Sequence, residues 1–195
     1  MTNGKKIVAL LGFLAAAAAG PAAAQDKGLY VGAQAGVVQY QQTCDNLVVV
    51  CDDKDGGARV FLGYQFNKYW ALEGAYADLG SAKLAGTGNA GQPVQGELRV
   101  EGFDLLAVGA YPLTDRLSLL GKVGAYRMRA NFEEANSGTN SGQTSAGFAY
   151  GLGLGYDIGK LGIRGEFLRY ENVGGASVGE DSLFLMSLGL LFRFY

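Results

Sequence analysis

The run LFLMSLGLLFRFY, residues 183–195, closes the sequence and separates into two sets when read in steps of two. Phe184, Met186, Leu188, Leu190, Phe192 and Phe194 are wholly apolar, whereas Leu185, Ser187, Gly189, Leu191 and Arg193 mix small, polar and charged side chains. Period two means a β-strand, because successive side chains leave opposite faces. What decides the fold is which face of this strand meets the core.

The same theme repeats along the chain, in segments of about ten residues, the length a tilted membrane strand needs. They are GLYVGAQAGVVQY (28–40), ARVFLGYQF (58–66), YWALEGAYADL (69–79), VEGFDLLAVGAYP (100–112), LSLLGKVGAYRMRA (117–130), GFAYGLGLGYDI (147–158), LGIRGEFLRYE (161–171) and the terminal run. Asn67-Lys68, Leu113 to Arg116 and Gly159-Lys160 read as tight turns, and 41–57, 80–99, 131–146 and 172–182 as longer polar connections. Short and long connections in alternation predict an antiparallel barrel of the outer-membrane kind.

The faces agree. Phe148, Tyr150, Leu152, Leu154 and Tyr156 oppose Ala149, Gly151, Gly153 and Gly155; Trp70, Leu72 and Tyr76 oppose Ala71, Glu73, Ala75 and Ala77; Leu161, Ile163 and Phe167 oppose Arg164, Glu166 and Tyr170. A barrel in lipid turns the apolar set outward and fills a narrow interior with the small and polar set. Lipid also forces closure, since an open edge would leave backbone groups unpaired. The last strand is therefore expected to pair with the first. Glu97, Arg99 and Glu101 share the outward frame of Phe103, which puts them above the membrane or beyond a bulge.

Composition narrows the function. The 195 residues make one domain of ordinary size, with 32 glycines and only 3 prolines, a balance unlike that of a disordered linker. The N-terminus has Lys5 and Lys6, then an apolar stretch from Ile7 to Gly20, then Ala22-Ala23-Ala24, which predicts a cleaved signal peptide over 1–24 and a barrel over 25–195. Without the two lysines the chain carries 14 basic and 18 acidic side chains, so nucleic acid is not an expected partner. The absence of histidine removes imidazole bases, His triads and His-ligated metals; no catalytic, cofactor or metal residue is assigned and no enzyme is expected. Cys44 and Cys51, seven apart in an exported chain, are expected to form a local disulfide.

Other motifs have bland readings. In DDKDGG (52–57) a calcium loop starting at Cys51 would need a carboxylate at Leu62, so a solvated turn is expected. GLGLG (151–155) lies within a strand and lacks dinucleotide-loop spacing. Glu133 and Glu134 are adjacent, so their side chains diverge and suit a loop tip.

GYQFNKYWALEGAYADLG (63–80), GAYPLTDRLSLLGKVGAYRMRA (109–130), YVGAQAG (30–36) and SLGLLFRF (187–194) resemble the transmembrane domain of OmpA-type outer-membrane proteins. The resemblance implies an all-β, eight-stranded barrel in the outer membrane of a Gram-negative bacterium, in contact with lipid and lipopolysaccharide and inserted by the outer-membrane assembly machinery. Phe192, Phe194 and Tyr195 resemble the terminal signal that such machinery reads, with Tyr195 one residue out of frame. The peptidoglycan-binding domain often found in the family is not expected from this sequence. By motif position Glu73, Lys122, Arg164 and Glu166 match the family's interior salt-bridge cluster, and Arg59 and Asp104 share their inward parity. Val108 and Gly155 stand where the family has a lysine and an acid, so static pairing is expected over a switch. The expected role is support of the envelope, with at most a narrow ion path. The alternative is an adhesin that meets host or surface ligands through its long connections.

Overall fold

The computed structural model describes residues 27–40, 51–52, 54–87, 93–134, 140–175 and 179–194. The expected leader over 1–24, Cys44 and Tyr195 lie outside them. Eight long strands follow one another: β1 (Gly28–Tyr40), β2 (Lys54–Gln65), β3 (Trp70–Thr87), β4 (Pro93–Pro112), β5 (Leu117–Glu134), β6 (Asn140–Ile158), β7 (Leu161–Gly175) and β8 (Gly179–Arg193). Each pairs antiparallel with the next, β8 pairs with β1, and a two-residue strand at Cys51–Asp52 adds to the far end of β3. The sheet is thus closed. The paired row Tyr30, Gly63, Glu73, Leu106, Gly124, Ala149, Tyr170, Leu183 returns to β1 at Tyr40, ten residues from its start. That stagger in eight strands corresponds to a tilt of roughly 40°, and a barrel this size has room only for side chains.

The exterior and interior are inverted relative to a water-soluble protein. Phe148 and Leu188 are 74% and 71% exposed, while Arg59 and Glu73 are 0% exposed. Only an apolar surround stabilises that arrangement, and the backbone meets lipid's demand by pairing around the whole circumference. Trp70, Tyr111, Tyr156 and Phe192 face outward near the tight turns, and Tyr76, Phe103 and Phe148 near the other end, as two aromatic bands.

Two of the three tight turns are set by single polar side chains, and the third turns at Gly159 with φ +65°. Asn67 Oδ1 accepts from the amides of Tyr69 and Trp70 at 2.8 and 3.0 Å. Thr114 Oγ1 accepts from Leu117 N at 3.0 Å. Both side chains stand in for a backbone carbonyl within the turn.

At the long-connection end the strands outrun their sequence limits. β4 begins at Pro93 where the pattern suggests 100, and β6 at Asn140 where it suggests 147. Pairing between neighbours continues past the membrane once a hairpin is aligned, and there the outward frame need not be apolar, so the signal of the membrane segments is lost: on β4 that frame holds Gln95, Glu97 and Arg99. Arg99 and Glu101 keep the outward frame of Phe103. The irregularity falls on β3, between Asp78 and Ser81, where Gly80 has φ +74°. Asp55 braces it, its Oδ2 accepting from Ser81 N at 2.6 Å. Asp55 is thus part of β2, where the sequence suggests a solvated turn, and it holds the bulge in shape.

The interior is less polar than the alternation suggests. Toward the long connections Val38, Leu79, Val100, Met128, Leu183 and Leu185 pack into one buried cluster. At the turn end Arg193 pairs with Asp157 at 2.6 Å. Between these levels lies the charged layer.

Candidate functional site: an ion-paired barrel interior

Inward parity brings six charged side chains from five strands together: Arg59 on β2, Glu73 on β3, Asp104 on β4, Lys122 on β5, and Arg164 and Glu166 on β7, each at most 7% exposed. Glu73 is the hub. Its Oε2 accepts from Lys122 Nζ at 2.7 Å and lies 3.4 Å from Arg59 Nη1, and its Oε1 accepts from Tyr30 Oη at 2.8 Å and from Arg164 Nη1. Lys122 Nζ also approaches both Glu166 oxygens at 2.8 Å, and Arg164 lies 3.8 Å from Glu166. Arg59 forks onto Asp104 through Nε at 2.9 Å and Nη2 at 2.6 Å, and Tyr170 Oη donates to Asp104 Oδ2 at 3.0 Å.

Three bases thus meet three acids, and the layer is neutral. Burying a lone charge in such a space costs several kcal/mol, of order that of breaking a buried pair. Mutual pairing with well-placed hydrogen bonds offsets the penalty, most strongly in the forked Arg59–Asp104 contact.

The Phe61 ring lies beneath all three bases, 5.4 Å from Arg59 Cζ, 5.6 Å from Lys122 Nζ and 5.7 Å from Arg164 Cζ. Its electron-rich face suits that position. Phe61, Tyr30 and Tyr170 complete the layer. The sequence signal for them was parity alone: Phe61 shares a face with Arg59, Tyr30 with Gln34, and Tyr170 with Glu166.

Val108 is the cross-strand partner of Lys122, and Gly155 that of Arg164. Neither offers a carboxylate or a competing base, so each charge keeps the partners described. Gln34 and Ser187 are also inward and buried, yet among the described residues no group hydrogen-bonds their side chains. Phe192 faces outward and its ring meets Phe194 edge-on at 5.3 Å. Glu133 and Glu134 end β5, paired with Glu97 and Gly96, where the sequence suggests a loop tip; their side chains and that of Cys51 lie outside the described residues.

A closed eight-stranded barrel with an apolar exterior and a charge-paired, side-chain-filled interior is a small outer-membrane β-barrel. The family model described as the OmpA-like transmembrane domain matches residues 24–195, and the chain belongs to that family. It is 31% identical over 191 residues to outer membrane protein A of Escherichia coli O157:H7, covering 96% of this chain and 53% of the relative. The match to outer membrane protein A of Serratia marcescens is 30% over 202 residues, covering 96% and 54%. The chain spans about half the length of the curated relatives it matches. Among solved structures, Neisserial surface protein A superposes with a TM-score of 0.63 at 17% identity, over 85% of this chain and 97% of that one. Ail, the attachment invasion locus protein of Yersinia pestis, solved with the heparin analogue sucrose octasulfate, superposes with a TM-score of 0.57 at 16% identity, over 87% and 99%. These likenesses are of fold. The protein is located in the outer membrane of a Gram-negative bacterium.

Proposed function

We propose that the barrel supports the envelope as a structural element with a stoppered interior. The observation that carries this is Glu73: one fully buried carboxylate shared by bases from β2, β5 and β7. Such a hub ties the wall across its own interior, and Val108 and Gly155 remove the groups that would take over its partners. Single-channel recording of the refolded barrel in planar bilayers tests the reading. The parent and Glu73→Gln should conduct no differently, although the variant is less stable. A rise in conductance or open probability on Glu73→Gln would overturn the reading in favour of a narrow ion path. The likeness in fold to Ail supports asking whether the long connections bind a surface ligand. Whole-cell binding by variants with shortened connections answers that separately.

A further inference from the structure

Four arginines described on the outer face stand near the long-connection end, and they fall into two groups. Arg99 is held by Asp78 at 2.5 Å and Arg169 by Glu171 at 2.7 Å. Arg127 and Arg129, both exposed on β5, have no carboxylate within ion-pair distance among the described residues. The acid directly across from Arg129 is Glu101, and it is engaged by the hydroxyl of Tyr76 at 2.8 Å.

Their place gives the unpaired charges meaning. Arg127 lies directly opposite Phe103, and Ala125, two residues nearer the tight turn, lies opposite Phe148. Phe103 and Phe148 are 65% and 74% exposed and belong to the outward apolar surface. The two guanidiniums therefore begin where the apolar band ends, on the side that faces lipid. Side chains two apart on one strand face are about 7 Å apart, close enough for two long arginines to converge on one group. A guanidinium at the edge of the hydrocarbon needs a counter-charge, and its planar fork of donors matches a phosphate.

We propose that Arg127 and Arg129 bind a phosphate on the lipid anchor of lipopolysaccharide in the outer leaflet, with the acyl chains lying along the apolar face below. The proposal rests on the outer-membrane placement and is independent of whether the interior conducts. The test is native mass spectrometry of lipid retained by the refolded full barrel, extracted from vesicles containing either bisphosphorylated lipid A or its dephosphorylated form. The parent should prefer the phosphorylated lipid, and Arg127→Gln/Arg129→Gln should lower its retention by about 30-fold, roughly fivefold per arginine at a membrane surface. The single variants should each lose about fivefold; they carry the test if the double variant lacks the heat-dependent gel mobility of a folded barrel. A parent without preference for the phosphorylated lipid, or variants that keep the parent's preference, would overturn the proposal. So would inorganic phosphate alone binding the parent as tightly as the lipid does, which would make this a free-anion site.

Discussion

Replacing Glu73 by glutamine removes one negative charge and almost no volume. The interior layer then holds three bases and two acids. Each base retains a second contact: Arg59 keeps Asp104, Lys122 keeps Glu166 at 2.8 Å, and Arg164 keeps Glu166 at 3.8 Å. Breaking a buried pair costs roughly 3–5 kcal/mol, and the retained contacts place this loss at the low end, about 3 kcal/mol. Trp70 reports it directly, being the chain's one tryptophan and 59% exposed on the outer face. Equilibrium urea unfolding of the barrel refolded in vesicles, followed by Trp70 fluorescence, measures the difference. A second change, Lys122→Met, removes the surplus positive charge, so the double variant should recover part of the loss and show a clear coupling energy. A loss below about 1 kcal/mol, the size expected of an exposed pair, would refute the reasoning.

Three further outcomes follow from single positions. Gly155→Glu places an acid beside Arg164 as a rival to Glu73; a Cβ there meets its nearest neighbour, Leu120, at 3.4 Å, so the backbone accepts it. Single-channel recordings should show no new openings, as for Glu73→Gln, because Arg59 and Lys122 still hold Glu73. Gly80→Ala forces a side chain onto φ +74°, with its Cβ 2.5 Å from the Gly56 carbonyl oxygen, and should lower the urea midpoint by an amount equivalent to about 1–3 kcal/mol. Gln34→Met should change stability by less than about 1 kcal/mol in the same assay, because no hydrogen bond from the described residues is lost.

The terminal run and its seven counterparts made the barrel legible because the two faces differ so strongly in chemistry. Where that difference fades, the sequence stops marking the strand. Pro93 to Arg99 extends β4 with the alternation inverted, Gln95, Glu97 and Arg99 standing in the frame that is apolar from Phe103 on, and Asn140 to Ala146 extends β6 with no apolar frame at all. The six charged residues of the interior were legible by parity, since each stands opposite the lipid-facing frame of its own strand. Their hydrogen-bonded and aromatic partners were harder to see. Tyr30, Phe61 and Tyr170 are bulky side chains on the inward face, and only the register between strands shows that they meet Glu73, the three bases and Asp104. Asp55 was hidden in the same way, because its partner Ser81 lies 26 residues along the chain.

The hub itself is open to direct measurement. With the Glu73 carboxyl carbon and the Lys122 ammonium nitrogen isotopically labelled, dipolar recoupling in solid-state NMR of the barrel in lipid vesicles reports their separation. The structure predicts strong dephasing, as required by an Nζ to Oε2 distance of 2.7 Å. Absence of dephasing, with both groups showing the signals of hydrated, unpaired ions, would contradict a closed and charge-paired interior.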